Sequence, residues 1–313
     1  SKIVLRSGRH GPWTTAMTAK STNLLPAPLP TTKPPPWGVG VELGGYRLRR
    51  YLGSGGLGVV YEAEGAHGGL VALKCFGRRA DLPRDDTDSF TREEALRFRL
   101  HHPNIVEVLD AGVHEGVVYL VMELVAGESL AHHTRTPDLL PMTETLRICA
   151  DVARALSHAH AREVIHRDVK PDNILLDRTK RAAKLTDFGI ATLGDAFRTQ
   201  TGVIPGTPAY MSPEQLCGGV VDARTDLYAL GVVLFETLSG SRPHSAASLG
   251  MLLREVASRD APPLNSVRPE VPEPVAVLVS RLLERSPACR PASAATVADE
   301  LYALADRAHP AGL

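Results

Sequence analysis

The spacing of apolar residues changes once along this chain, near Gly127, and that change limits the folds open to it. Before it, Tyr46–Leu52, Val59–Glu64, Leu70–Cys75, Val106–His114 and Val117–Glu123 are short β-branched and aliphatic runs broken by glycines, with a turn at Glu115-Gly116. One helix-like stretch, Ser89 to Leu100, lies among them. After it, Thr143–Ala161 sets Leu146, Cys149, Val152, Ala153 and Leu156 on one helical stripe. Asp222–Leu238, Leu249–Ser258, Pro274–Glu284 and Ser293–Ala308 follow as further helices, punctuated by prolines. A strand-rich part followed by a helix-rich part predicts an α+β protein with a cleft at the junction.

Residues 1–42 read differently. Pro26, Pro28, Pro30, Pro34, Pro35 and Pro36 stand among Ser, Thr and small residues, which predicts a flexible or extended tail. Trp13 and Trp37 are the residues that could dock it on a folded body. Lys plus Arg equals Asp plus Glu, 35 each, with no dense block of one sign, which argues against a nucleic-acid or anionic-membrane partner. No apolar run of about 18 residues offers a membrane span. Cys75, Cys149, Cys217 and Cys289 lie far apart in no disulfide-like or metal-like pattern, so free thiols and a cytoplasmic setting are expected. The chain starts at Ser1 rather than Met, so it reads as a processed or partial product whose parent could carry a membrane anchor beyond Leu313.

The chemistry concentrates in His166-Arg167-Asp168-Val169-Lys170-Pro171-Asp172-Asn173. One short loop offers a carboxylate for a hydroxyl proton, a cation for a phosphoryl oxygen and an amide oxygen for a metal. Thr186-Asp187-Phe188-Gly189 adds a second carboxylate before a glycine hinge. Upstream, Gly53, Gly55 and Gly58 form a GxGxxG pattern in Leu52-Gly53-Ser54-Gly55-Gly56-Leu57-Gly58. Glycines let a backbone approach phosphates closely. The following Val59–Glu64 continues as strand, which disfavours a dinucleotide-binding turn into a helix. Val71-Ala72-Leu73-Lys74 then ends an apolar strand in a lysine, which needs anionic partners if it is buried. Glu93 or Glu94 on the next helix could position it; counting from Phe90 and to His102-Pro103 favours Glu93.

These pieces, in this order over about residues 46 to 305, resemble the protein-kinase superfamily, and most of all the bacterial eukaryotic-like (Hanks-type) serine/threonine kinases. The resemblance implies a two-lobed fold, with a small β-rich N-lobe (43–122) carrying one main helix, a hinge (123–126) and a larger helical C-lobe (127–308). It implies ATP and Mg2+ or Mn2+ as cofactors. Leu52, Gly53, Ser54, Gly55, Gly56 and Gly58 would cover the phosphates. Lys74 would contact them and pair with Glu93. Val60 and Ala72 would line the adenine from above and Leu175 from below. Met122 would be the gatekeeper, and Glu123 and Val125 would offer backbone hydrogen bonds. Asp168 would take or orient the substrate proton, Lys170 would steady the phosphoryl group, and Asn173 and Asp187 would hold the metal.

Lys170 and Gly206-Thr207 resemble the Ser/Thr class, with Thr207 a substrate platform, and the segment from Gly206 to Glu214 favours protein substrates over small molecules. Glu214 would pair with Arg290, and Asp226 would brace the catalytic loop. Arg167 before Asp168 implies control by phosphorylation, at Thr201 first and Thr199 second, on a loop that a phosphate would order. The resemblance also implies a homodimer phosphorylating in trans. Two departures stand out. Arg97 occupies an ordinarily apolar place four residues after Glu93, whereas Phe98 would suit Glu94. Ser212 replaces the more usual alanine in Ser212-Pro213-Glu214. The competing class, a non-catalytic pseudokinase scaffold, predicts loss of Lys74, Asp168, Asn173 or Asp187, and all are present.

Overall fold

The computed structural model describes residues 37–55, 58–78, 100–188, 208–246 and 248–308. The expected helix from Ser89, the proline-rich stretch before Trp37, and the candidate residues Gly56, Glu93, Glu94, Thr199, Thr201 and Thr207 lie outside them.

The first half forms one antiparallel sheet from β1 (Glu42–Leu43), β2 (Tyr46–Gly55), β3 (Gly58–Glu64), β4 (Leu70–Arg78), β5 (Val108–His114) and β6 (Val117–Glu123), in the order β1-β2-β3-β4-β6-β5. Register follows from side-chain alternation. Val60 lies opposite Lys74, Lys74 opposite Leu120, and Ala72 opposite Met122. Val60, Ala72, Met122 and Val125 therefore gather on one face with Leu120 and Phe76. Leu48, Tyr61, Leu73, Cys75 and Val121 pack on the other. Trp37 closes that second cluster, edge-on to Tyr61 at 6.3 Å, with its backbone carbonyl accepting from the Tyr61 hydroxyl at 3.2 Å.

One strand begins later than the sequence suggests. Ile105 and Val106 leave the sheet and bond to Leu185 instead: Val106 N–H donates to the Leu185 carbonyl at 2.9 Å, and Leu185 N–H donates to Asn104 at 2.8 Å. An apolar β-branched run records a wish for burial, not the partner that provides it.

The second half packs helices α1 (Met142–His160), α2 (Pro213–Cys217), α3 (Ala223–Ser239), α4 (Leu249–Ser258), α5 (Leu264–Val267), α6 (Glu273–Leu282) and α7 (Ala294–Ala308). The stripe on α1 is buried, and residues such as Leu146, Ile148 and Leu156 are fully covered. Each contributes about 1.5–3 kcal/mol relative to an exposed side chain. Helix α3 is apolar nearly all round and buried from Thr225 to Leu238, which makes it the axis of this lobe. Asp222 caps its start by accepting from Arg224 N–H, and Gly240 ends it in a left-handed conformation.

A small sheet, β7 (Gly127–Ser129), β8 (Ile174–Asp177) and β9 (Ala182–Leu185), joins the lobes. Its strands of three and four residues are too short to give a periodic signal. Its geometry matters, because Ile174 pairs with Leu185 and so Asn173 and Thr186 emerge at the same end. Thr186 N–H donates to the Asn173 carbonyl at 2.9 Å.

Candidate active site

The β8–β9 hairpin sets Asn173 and Asp187 side by side, and the loop before it brings in Asp168 and Lys170. Lys170 Nζ lies 2.7 Å from Asp168 Oδ2. Asn173 donates through Nδ2 to the Asp168 carbonyl at 2.8 Å and to Asp168 Oδ2 at 3.2 Å, so its Oδ1 takes no part in either contact. From the other lobe, Lys74 reaches Asp187 Oδ2 at 2.6 Å. Lys74 is only 6% exposed, and this ion pair is what makes its burial tolerable. Lys74, Asp168, Asn173 and Asp187 thus converge from separate segments at the junction of the lobes.

The loop is held from below. Asp226, fully buried, accepts from the backbone N–H groups of His166 and Arg167 at 2.9 and 2.8 Å and from His160 Nε2 at 2.8 Å. Arg167 and Asp187 both carry positive φ, 68° and 71°. Left-handed backbone at a non-glycine residue costs about 1–3 kcal/mol, and it persists only where surrounding bonds hold it. The His166 ring meets Phe188 edge-on at 4.6 Å.

The apolar wall has a roof and a floor. Val60 and Ala72 come from the sheet, Leu175 from β8, and all pack in the cluster with Met122 and Val125. Glu123 N–H is committed to the Glu107 carbonyl at 3.0 Å, so a hinge contact from Glu123 falls to its carbonyl. The Val125 carbonyl accepts from Gly127 N–H at 3.1 Å, so the Val125 contact falls to its N–H. On β2 and β3, Gly55 pairs with Gly58, and Leu52 lies in the register shift between Tyr51 and Gly53, followed by the exposed Ser54. A Cβ at Gly58 would sit 2.2 Å from the Cys75 carbonyl oxygen, so strand packing itself demands glycine. At Gly53 a Cβ would meet nothing within 4 Å, which leaves that backbone open to a ligand. Cys75, beside Lys74, is pushed up to about 12 by burial and stays a thiol, so it supplies no nucleophile.

Among the described residues no three His, Cys, Asp or Glu side chains gather as a metal cluster. A cation beside Asn173 and Asp187 would draw its remaining oxygens from a nucleotide and water, which suits a hard ion such as Mg2+.

Sequence reasoning missed Lys184. It is buried on β9, donates to the Ile105 carbonyl at 3.1 Å, and ion-pairs with the Glu123 carboxylate. Burial works against charge on Glu123, but bonds from Lys184 and from Glu107 N–H outweigh it and hold the carboxyl below the usual range. The signal was available: Lys184 stands in an apolar run, the same reasoning that singled out Lys74. Glu214 and Arg290 do meet, in a bidentate pair at 2.6 and 2.8 Å.

This two-lobed fold, with its junction of lysine, asparagine and two aspartates, defines a protein kinase, and comparison with known proteins agrees. The protein kinase domain family model matches residues 46–302, and the chain belongs to that family. Among curated proteins it is similar to serine/threonine-protein kinase Pkn1 of Myxococcus xanthus, 38% identical over 88% of this chain and 41% of that protein. It is also similar to the DNA damage-responsive serine/threonine-protein kinase RqkA of Deinococcus radiodurans, 40% identical over 84% of this chain and 40% of that one. Serine/threonine-protein kinase PrkC of Bacillus subtilis is 36% identical over 78% and 38%. The chain therefore spans about two fifths of these relatives. Among the described residues no helix is long and apolar enough to cross a membrane.

Proposed function

We propose that this chain is the catalytic domain of a serine/threonine protein kinase, moving the γ-phosphoryl group of ATP to a protein hydroxyl. The observation that carries the proposal is the convergence of Lys74 and Asp187 at 2.6 Å with Asp168 and Asn173 on the adjoining loop.

Adenine would lie between Val60 and Ala72 above and Leu175 below, beside Met122. The Glu123 carbonyl and the Val125 N–H would meet its amino group and ring nitrogen, an acceptor and a donor in the order adenine requires. The strand around Gly53 would cover the phosphates, with Leu52, Ser54, Gly55, Gly56 and Gly58 completing it. Lys74 would turn from Asp187 to the phosphates, with Glu93 as its partner in the active state. Asn173 Oδ1 and Asp187 would hold a divalent cation, Mg2+ or Mn2+, which neutralises phosphate charge when bound. The substrate oxygen forms its bond to the γ-phosphorus as the bond to the bridging oxygen of ADP breaks, and its proton goes to Asp168. Lys170 steadies the moving phosphoryl oxygens. The protein's share is position and charge, with no covalent intermediate.

Thr207 would form the platform for a protein substrate, and phosphorylation of Thr201 or Thr199, in trans within a homodimer, would order the loop beside Arg167. Labelled ATP and a generic basic protein test the whole reading. Label should appear on serine or threonine and on Thr201 or Thr199, and Asp168→Asn should lower the rate by about 10²–10⁴-fold. Label transfer undiminished in Asp168→Asn would remove Asp168 from the chemistry.

A further inference from the structure

Ser212 stands where many kinases carry alanine, and the structure gives its polar groups partners. The residue is fully buried and caps α2. Its backbone N–H and its hydroxyl donate to Gln215 Oε1 at 3.0 and 3.2 Å, and Gln215 N–H returns to the Ser212 hydroxyl at 3.4 Å. This reciprocal cap fixes which way the Gln215 amide points. Ser212 N–H requires an acceptor, so Oε1 faces it and Nε2 faces the other way. There Nε2 donates to the backbone carbonyl of Arg167 at 3.0 Å.

That carbonyl belongs to the peptide unit that carries Asp168. The other end of the unit, Asp168 N–H, donates to His166 Nδ1 at 3.2 Å. His166 Nε2 lies 2.8 Å from the Thr186 carbonyl, which only accepts, so Nε2 bears the proton and Nδ1 is free to accept. The peptide is thus pinned at oxygen by Gln215 and at nitrogen by His166, next to the strained φ of 68° at Arg167. Asp226 holds the neighbouring N–H groups from α3. Gln215 differs from these in origin: it sits just beyond the segment running from Asp187 to Glu214. Glu214, one residue earlier, is locked to Arg290 and to the Thr225 hydroxyl, so α2 is bracketed on both sides.

We propose that Gln215, oriented by Ser212, is a positioning residue for phosphoryl transfer. It holds the Arg167–Asp168 peptide, and with it the direction of the Asp168 carboxylate. It also makes that direction depend on how the chain leading into α2 is seated. The inference rests on the reading of Asp168 as the residue that takes the hydroxyl proton.

Gln215→Glu separates positioning from folding. Glutamate serves the serine cap as well as glutamine does, so α2 keeps its start. A carboxylate cannot donate to the Arg167 carbonyl and sets oxygen against oxygen there. The melting temperature should stay within about 2 °C of the parent. The kcat should fall by about tenfold or more, with KM for ATP within about twofold, because a small misplacement near the reacting atoms is costly while nucleotide contacts are untouched. Amide exchange over residues 165–173 should quicken. Ser212→Ala, which removes the hydroxyl bonds to Gln215 but keeps the backbone N–H on Oε1, should lower kcat and quicken exchange more weakly. A Gln215→Glu protein with parental kcat and parental exchange overturns the inference. A parent protein that transfers no phosphoryl group instead refutes the functional reading; amide exchange then still decides the positioning claim, unchanged exchange overturning it and faster exchange supporting it.

Discussion

Lys184 shows how one side chain can tie three segments together. Its side chain is 4% exposed, and its charge is shared between the Ile105 carbonyl and the Glu123 carboxylate. A buried ion pair adds little beyond a well-packed apolar pair, but removing one partner leaves the other uncompensated. Glu123 keeps the Glu107 N–H and, at 3.6 Å, Lys180, so Lys184→Met should cost about 2 kcal/mol at neutral pH, read by urea unfolding. The pH dependence carries a second signature. Glu123 titrates below its ordinary value in the folded state, so its contribution is present above the unfolded value and is lost as pH falls through the folded one. Without Lys184 that contribution shrinks, and the variant should lose less stability than the parent between about pH 6 and pH 3. Equal losses would mean that the pair does not hold Glu123 charged. At this scale the sequence was readable where a motif has fixed spacing, as at Asp168, Asn173 and Asp187. The apolar run around Lys184 hinted at its burial but named no partner, and nothing local marked Gln215; their partners lie 61 and 48 residues away.

Strands β3 and β4 show what was legible at the scale of elements. Runs of β-branched and aliphatic residues announced both; Gly55 pairs with Gly58 between β2 and β3, and the separate β3–β4 register places Val60 opposite Lys74. The two glycines flanking this region are used differently, and substitution should separate them. Gly58→Ala drives a methyl into the Cys75 carbonyl, so it should destabilise the protein by about 2 kcal/mol and loosen the strand that carries Lys74. Gly53→Ala meets no protein atom, so stability should change by no more than about 0.5 kcal/mol while KM for ATP rises. Thermal unfolding and steady-state kinetics on the two variants check this; unchanged ATP affinity in Gly53→Ala would mean that phosphates do not approach that strand. The long helices were legible too, because a dozen residues give a period time to repeat. The small β7–β8–β9 sheet was not, although it places both metal-ligand candidates.

The whole molecule is a joint between two bodies, and its stability and its chemistry use different parts of that joint. Arg290, buried and clamped to Glu214, holds α2 against α3 and the chain before α7. Tyr302 on α7 donates to Asp151 on α1, and the other oxygen of Asp151 accepts from Ala183 N–H on β9 at 3.0 Å. These contacts make a rigid base for the strand that leads to Asp187. The change of period near Gly127 announced two bodies with a cleft, but only the folded chain brings Lys74 across it. The central claim is that Lys74, Asp168, Asn173 and Asp187 serve one nucleotide and its cation. Calorimetric titration with ATP, in the presence and absence of Mg2+, tests it most directly. Mg2+ should tighten ATP binding by about tenfold, roughly 1.4 kcal/mol, in the parent and leave Asp187→Asn unaffected. The same Mg2+ dependence in both proteins would contradict the account.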